Sequence, residues 1–221
     1  MFPPPVEKST NLPSDDSLQS RGYHHGNLAE ALLLATVEVI AESGLEKLSV
    51  REVAKRLGVS PGAPFRHYPS KTALLTAVAE QASQLLRQAV QVAMAKETSD
   101  DPIASLTAIG RGYLSWAMNN PTHFTVISSR QFIEFESSEL LLRNNSELRA
   151  LMLRLLADAQ SKKILRADAN PDHIILGARA IVYGLARMAT DGHIEDWHPN
   201  EGIVSALDNA MMVYVSHLRA P

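Results

Sequence analysis

The sequence predicts an all-α protein in which a small helical domain precedes a larger one. Apolar residues recur at helical spacing along most of the 221 residues, and no segment shows the strict alternation of a β-strand. Near residue 58, a glycine separates two short helical patterns and indicates a tight turn. We expect a disordered, Pro- and Ser-rich tail over residues 1–20, a helix-turn-helix domain over 21–75 and a larger helical domain over 76–221.

The composition narrows the class of protein. The chain has no cysteine, which excludes a disulfide framework, a thiolate zinc site and a cysteine nucleophile. No segment approaches the ~18 consecutive apolar residues of a membrane span. The first residues lack the basic start and apolar centre of a signal peptide. We therefore expect a soluble, cytoplasmic protein that does not contact a membrane.

The charge is unevenly distributed. The whole chain carries a formal charge of −3, yet residues 21–75 hold seven Lys and Arg against five Asp and Glu. Protonation of His24, His25 or His67 near phosphate would add to this excess. Because this excess is small, a basic surface requires that the Lys and Arg side chains cluster locally. We expect the affinity of such a surface for nucleic acid to fall as the salt concentration rises.

Residues 49–71 carry the most specific pattern in the chain. Ser49 and Glu52 have the spacing of a capping box at the start of a helix. One apolar stripe follows at helical spacing, formed by Val50, Val53, Ala54 and Leu57. Gly58 suits the left-handed position that ends a helix.

A second short helix is predicted directly after this turn. Val59 is expected to be a buried plug, and Ser60 is expected to cap the helix, with Pro61 at its first position. Two helices joined by so short a turn must cross steeply. This is helix-turn-helix geometry, in which the second helix enters the DNA major groove.

A further helix is predicted to precede this pair over residues 27–43. Asn27 is its expected cap, with Glu30 three residues later. Gly44 ends the helix, and Leu45 folds back onto it. The three helices together would form one small domain.

The segment over residues 22–78 resembles the DNA-binding domain of the tetracycline-repressor-like (TetR) regulators. The resemblance covers about a quarter of the chain. It is carried by Gly44-Leu45, the Ser49–Glu52 pair, Ala54, Gly58-Val59-Ser60, Phe65-Arg66-His67-Tyr68 and Ser70-Lys71. Tyr183-Gly184 is also similar to a variant of the C-terminal type named after a Trp-His-Gly signature.

The resemblance implies a homodimeric transcription regulator. It would bind a near-palindromic operator in double-stranded DNA, most often as a repressor, under the control of a small-molecule effector. The competing interpretation is a helical ligand-binding or scaffolding protein with a vestigial helix-turn-helix. The candidate DNA-contacting residues are Tyr23, His24, Ser49, Arg51, Ser60, Pro61, Gly62, Ala63, Phe65, Arg66, His67, Tyr68 and Lys71.

The predicted recognition helix spans residues 61–68. Pro64 and Tyr68 have the spacing of an inward face, whereas Phe65 and Arg66 should point outward together with Pro61 and Gly62. Arg66 is the candidate for direct readout because its guanidinium matches guanine O6 and N7. Phe65 could instead be a core aromatic.

Other side chains around this helix are candidates for phosphate contact. His67 and Lys71 would position the protein on DNA without specifying a sequence. Residues 21–25 are interpreted as an N-terminal arm that would contact phosphate or the minor groove. The alternative is a polar segment before the first helix that has no contact with DNA. A metal site at His24 and His25 is not expected.

Two residues depart from the family pattern. Position 64 more often holds leucine, and proline there removes a helical N–H and should stiffen the short helix. Position 65 is often tyrosine, and phenylalanine lacks the hydroxyl that would reach a phosphate.

The remaining chain is predicted to be helical throughout. Ser70 and Asp101-Pro102 carry helix-start signals, and the apolar face of each segment repeats at helical spacing. The expected helices span residues 70–94, 102–119, 138–163, 171–189 and 201–219, and a shorter helix starts at residue 121 and holds Phe124, Val126 and Ile127.

Residues 171–189 are apolar on more than one face, which predicts burial all round. Gly177 and Gly184 lie on one stripe and would let another helix approach closely. By resemblance, this helix and the last one form a four-helix bundle between two subunits. The candidate dimer residues are Ile181, Gly184, Leu185, Met188, Leu207, Met211 and Tyr214.

The larger domain should also hold the effector. Large or polar side chains within its apolar helices are candidate lining residues, although for each one taken alone core packing or a surface position is the favoured interpretation: Tyr113, Trp116, Met118, His123, Phe124, Arg130 and Tyr183. The net negative charge of this half favours a cationic or neutral ligand. The positive charge of Arg130 could reverse that preference.

Neither a metal nor catalysis is predicted. Residues 193–198 contain two histidines and two acids, but this segment is interpreted as a solvated turn between helices. The sequence has no phosphate-binding glycine loop, dinucleotide fingerprint or cysteine nucleophile, so no cofactor and no enzyme activity are expected.

Overall fold

The computed structural model describes residues 28–198 and 200–220, and it is all-α as predicted. The only β pairing in these ranges is an isolated antiparallel bridge between Leu165 and Arg219. Short 3₁₀ turns lie at Pro64–Arg66, Arg130–Phe132 and Phe135–Ser137. The α-helices are α1 (Leu28–Ser43), α2 (Val50–Arg56), α3 (Lys71–Ala95), α4 (Pro102–Asn119), α5 (Pro121–Ser128), α6 (Glu139–Ser161), α7 (Pro171–Thr190), α8 (Ile194–Trp197) and α9 (Ile203–Ser216).

Helix starts follow the local signals in the sequence. The Ser70 hydroxyl accepts a hydrogen bond from the Ala73 N–H at 2.9 Å, and Asp101 Oδ1 accepts one from the Ile103 N–H at 2.8 Å. Ser138 accepts from the Leu141 N–H and so begins α6 in the same way. Each such cap contributes about 1 kcal/mol to stability.

The described residues form two hydrophobic cores. The first, the N-terminal core, contains Leu32, Val53, Leu74 and Val78 from the first three helices. It also includes residues from farther along the chain, namely Val126, Ile133 and Leu141. The boundary expected after residue 75 therefore falls inside the continuous helix α3.

The second, C-terminal core is built on α4. Trp116, Phe124 and Leu156 are fully buried there, together with Leu207 and Met211 from α9. Helix α3 packs along α4 closely because Gly112 has no side chain. A Cβ at Gly112 would lie 2.9 Å from the Val90 Cα.

Helix α7 corrects one expectation. It was predicted to be buried on all sides, but in the single chain Leu176 is 68% exposed and only Ile174, Ile175 and Ala186 are fully buried. One face of α7 therefore packs against the C-terminal core, and the other face is exposed to solvent. The close approach at Gly177 is confirmed, since a Cβ there would lie 2.8 Å from the Tyr214 hydroxyl.

The end of α9 is tied back to the start of α4. Arg219 forms an ion pair with Asp101 at 2.5 Å, and the Ala220 N–H donates to the Ile164 carbonyl at 2.8 Å. Within the ranges described, no helix combines the length and apolar character needed to cross a bilayer.

Candidate nucleic-acid interface and effector cavity

The turn after α2 has the geometry that the sequence predicts. Gly58 adopts a φ of +66°, in the left-handed region that favours glycine. The Gly58 N–H donates to the Lys55 carbonyl and the Val59 N–H to the Ala54 carbonyl, both at 3.0 Å. This pair of bonds is a Schellman motif. Val59 is half-buried rather than a fully buried plug.

The predicted capping box is wrong in its side-chain half. Ser49 has the extended backbone of an N-cap, but its hydroxyl makes no capping bond. Its backbone carbonyl instead accepts from the Glu52 and Val53 N–H groups. The side chain is left exposed at the start of α2.

The recognition segment is a turn followed by 3₁₀ helix, not the α-helix predicted over residues 61–68. Ser60 uses its carbonyl, not its hydroxyl, to accept from the Ala63 N–H at 2.9 Å. Pro64 has no N–H to complete an α-helical bond to Ser60, and its ring crowds that carbonyl. An i→i−4 bond returns only after the proline, from Tyr68 to Pro64.

The two faces of this segment are nonetheless as predicted. Pro64 is buried, and the half-buried Tyr68 donates its hydroxyl hydrogen to the Ala29 carbonyl at 3.3 Å. Phe65 is 47% exposed, so the core alternative for this residue is wrong. Arg66 is exposed beside it. The outward surface also contains Pro61, Gly62 and His67, whereas Ala63 is half-buried.

The basic residues divide into engaged and free groups. Arg56 bonds bidentately to Glu42, which holds α2 against α1 and lowers the pKa of the Glu42 carboxyl. Lys71 is half-buried and donates to the Glu46 carbonyl at 3.3 Å. Within the described residues, Arg51 and Arg66 are exposed and make no ion pair. They remain available to DNA.

Two predicted DNA contacts, Tyr23 and His24, lie outside the described residues, as do the predicted tail and the cap Asn27. The candidate interface described here therefore consists of the start of α2, the Gly58 turn and the 3₁₀ segment.

A cavity of about 720 Å³ opens between α3, α4, α6 and α7. Four of the seven predicted effector residues line it, namely Tyr113, Trp116, Arg130 and Tyr183. Its other lining residues include Leu86, Val90, Leu141, Leu151, Arg154 and Arg179.

The other three predicted effector residues do not line this cavity. Phe124 is fully buried one layer behind it, with its ring centroid 6.1 Å from that of Trp116 and 5.7 Å from that of Tyr183. His123 bonds to the Gln81 side chain at 3.2 Å, and burial lowers its pKa. Met118 packs against the C-terminal core.

The floor of the cavity is aromatic. Tyr113 and Trp116 meet edge to face at 5.6 Å, an arrangement worth about 0.5–1.5 kcal/mol beyond burial. Burial raises the pKa of Tyr113 to about 12, so this phenol stays neutral. The buried Trp116 Nε1–H has no hydrogen-bond acceptor among the described residues.

A second cavity of about 340 Å³ lies between α4, α6, α7 and α9. It shares Tyr113, Leu176 and Arg179 with the first cavity, so the two adjoin. Its remaining wall is largely apolar, with residues such as Ile109, Met152, Val182 and Val215. Arg179 was not among the residues predicted from the sequence, although an arginine inside the apolar run of α7 is a signal that could have identified it.

The predicted dimer residues fall mostly on inward faces. Leu207 and Met211 are 2% and 3% exposed, so they belong to the core of the chain and are unavailable to a partner. Tyr214 donates to the Ile174 carbonyl at 2.9 Å within the same chain. Ile181, Leu185 and Met188 are half-buried, and Gly184 has open space beside its Cα. The exposed apolar residues of α7 and α9 are instead Leu176, Tyr183, Val204, Met212 and Val213.

The segment interpreted as a solvated turn contains the one-turn helix α8. His193 lies 3.8 Å from Asp196, and His198 lies 3.0 Å from Glu201. The described part of the chain has no group of three or more side chains that could hold a metal ion.

Comparison with protein families identifies both halves of this fold. The model for bacterial regulatory proteins of the tetR family matches residues 32–78. The model for the tetracyclin repressor-like C-terminal domain matches residues 106–208. Together the two models cover about two thirds of the chain. The chain belongs to the tetR family and has the fold of a DNA-binding transcription regulator.

Individual relatives agree with this assignment. Nucleoid occlusion factor SlmA of Haemophilus ducreyi is 27% identical over 143 residues, which span 65% of this chain and 69% of the relative. A protein of unknown function from Rhodococcus sp. RHA1 has a similar fold, with a TM-score of 0.74 and 23% identity over 90% of this chain and all of the other. A tetR-family regulatory protein from Rhodococcus RHA1 matches with a TM-score of 0.71 and 17% identity, over 87% of this chain and 98% of the other. The Trp-His-Gly assignment remains a prediction.

Proposed function

We propose that this protein is a homodimeric repressor that binds a near-palindromic operator and whose affinity is controlled by a small-molecule effector. The observation that carries the proposal is the path of α3. Its first turns, with Leu74 and Val78, belong to the N-terminal core behind the helix-turn-helix. Its later turns, with Leu86 and Val90, line the larger cavity.

This shared helix supplies a physical route from effector to DNA. A ligand alters DNA affinity only if it binds two conformations of the protein with different affinity. A ligand seated against the later turns of α3 favours one position of that helix over another. Because the first turns of α3 share the N-terminal core with α1 and with Val53 of α2, we expect a shift of α3 to alter the placement of the helix-turn-helix and of Arg66.

The dimer follows from the exposed apolar residues of α7 and α9. Leu176 and Val213 are 68% and 63% exposed, and Tyr183 and Met212 are 39% and 38% exposed. We infer that these side chains contribute to one apolar surface. A patch of this kind on a folded chain marks an interaction site. A two-fold pairing through it would present two recognition segments to successive major grooves, which predicts an inverted-repeat operator.

The test is selection from a randomised duplex library at two salt concentrations. The expected result is enrichment of an inverted repeat, bound with an affinity that falls steeply as salt rises. Weak, sequence-independent binding of every duplex would contradict the operator-binding proposal and favour a helical ligand-binding or scaffolding protein.

A further inference from the structure

The charges around the larger cavity are strongly one-sided. Its charged lining residues are Arg87, Arg130, Arg154, Arg179 and Glu147. Arg87 and Glu147 form an ion pair at 2.6 Å and neutralise each other. Three arginines therefore border this opening without a carboxylate among the lining residues to balance them, although the C-terminal half as a whole is acidic.

The three arginines have few partners in the described chain. Arg154 and Arg179 make no hydrogen bond or ion pair there, and the Arg130 guanidinium stacks on the Phe135 ring at 3.1 Å. Burial lowers the pKa of Arg130, the nearby charge of Arg179 lowers it further, and the charge of Glu136 acts in the opposite direction. Like charges that face one opening repel each other, so an anion placed between them gains from each.

The arginines lie at the mouth rather than the floor. Arg130, Arg154 and Arg179 each keep a solvent-exposed side, while the interior is lined by Leu86, Trp116 and other apolar residues. The second cavity continues this apolar space past Tyr113 and Leu176. A ligand that fits has a charged end at the opening and an apolar body inside.

We propose that the effector is an amphipathic anion, with its negative head between Arg130, Arg154 and Arg179 and its apolar body against Tyr113 and Trp116. The proposal rests on the proposed function, since it names the ligand class of the same cavity. It replaces the cationic or neutral ligand that the overall charge of this half favoured.

Three probes with one chain length and different heads test the ligand class. Decanoate, decanol and decyltrimethylammonium share an alkyl chain but are negative, neutral and positive. The chain has two tryptophans, and Trp197 is 80% exposed, so the W197F variant leaves Trp116 as the only reporter in the cavity. We expect decanoate to change its fluorescence saturably and to bind about tenfold or more tightly than decanol, with the ammonium weakest.

Two variants in the W197F background link this preference to the arginines. In R179M and in R130M, the preference for decanoate over decanol should fall several-fold. R187M is the matched control because Arg187 is on the same helix, pairs with Asp191 at 2.7 Å and does not line either cavity. R187M should bind like W197F alone, and far-ultraviolet circular dichroism checks that all three variants are folded.

Several results would overturn the anion proposal. These are equal or tighter binding of the neutral or positive probe, a preference that survives both R130M and R179M, or no saturable change with any probe. DNA release by decanoate is measured separately on a selected duplex. If decanoate binds through the arginines but leaves DNA affinity unchanged, the ligand class stands and effector control fails. If decanol or decyltrimethylammonium releases the protein from DNA and decanoate does not, effector control stands and the anion proposal fails.

Discussion

At the scale of single residues, the DNA-facing surface depends on which basic side chains are free. Arg56 is held by Glu42 and Lys71 by a backbone carbonyl, whereas Arg66 stands exposed beside Phe65. A guanidinium that has no hydrogen-bond or ion-pair partner within the protein can form a bidentate contact with the edge of a guanine base. Arg66 is therefore the residue on which sequence readout is expected to depend.

Replacing Arg66 with alanine should weaken operator binding by about 1–3 kcal/mol and relax selectivity at one base position. The measurement is fluorescence anisotropy with the selected duplex and its single-base variants. Arg166→Ala is the control, since Arg166 pairs with Asp168 in the loop before α7 and is expected to leave binding unchanged. Unaltered affinity in Arg66→Ala would refute direct readout by this side chain.

A second residue-scale prediction concerns the ion pair that ties α9 to α4. Burial alone would raise the pKa of Asp101, but hydrogen bonds from Arg219 and from the Ile103 and Ala104 backbone outweigh it and lower that pKa. A lowered carboxylate pKa adds stability above the ordinary value of 3.8, and this stability is lost as the pH falls through the lowered pKa.

Asp101→Asn keeps a capping oxygen but loses the charge that Arg219 binds. We expect it to reduce the free energy of unfolding by about 0.5–1 kcal/mol at pH 7, because the pair is partly exposed. Urea unfolding at pH 7 and pH 3 should show the difference between the two proteins shrinking at the lower pH. A difference that is the same at both values would show that the carboxylate charge is not responsible.

At the scale of elements, the helix ends at Gly44 and Gly58 and the caps at Ser70 and Asp101 were predictable, whereas the caps at Ser49 and Ser60 and the surroundings of the helices were not. The caps at Ser70 and Asp101 and the left-handed glycines Gly44 and Gly58 act within a few residues of chain. The 3₁₀ helix at Pro64–Arg66 was not predicted, because a proline near the start of a helix is compatible both with a rigid α-helix and with an interrupted one. The buried positions of Leu207 and Met211 depend on how α9 lies against its neighbours, which helical spacing does not define.

A substitution at Gly112 tests how closely α3 and α4 must pack. Gly112→Ala should lower the free energy of unfolding by about 1–3 kcal/mol, since the added Cβ meets the Val90 and Ala89 backbone at 2.9 and 3.0 Å. Gly184→Ala is the matched control, because Gly184 is also inside a helix but has nothing within 4 Å of an added Cβ. In that variant the better helix propensity of alanine should be neutral or stabilising. Equal unfolding midpoints of the two variants would show that α3 and α4 shift enough to accommodate the added methyl group without loss of stability.

At the scale of the whole molecule, the proposed dimer rests on the exposed apolar residues of α7 and α9. Two of the dimer residues predicted from the sequence, Leu207 and Met211, are buried in the core of the chain, whereas the prediction for Ile181, Gly184, Leu185 and Met188 remains untested. Apolar periodicity identifies a stripe, and it does not distinguish a stripe that faces the core from one that faces a second subunit.

Val213→Glu should disrupt the proposed dimer, because a carboxylate would be buried among apolar side chains. We expect the dimer dissociation constant to rise by about tenfold or more, with weaker operator binding as a consequence. Analytical ultracentrifugation over a concentration series measures the first effect. Val92→Glu is the control, since Val92 is also exposed, at 56%, but lies on α3. A dimer that tolerates Val213→Glu would place the interface elsewhere.

The continuity of α3 also bears on how this protein could be recombined with others. A hybrid regulator joined after residue 75 would cut the helix within its second turn. It would also remove Val126, Ile133 and Leu141, which complete the core behind the helix-turn-helix. The DNA-reading part is therefore not a portable module, and a working hybrid must either carry α3 with α5 and the start of α6 or rebuild the surface that they cover.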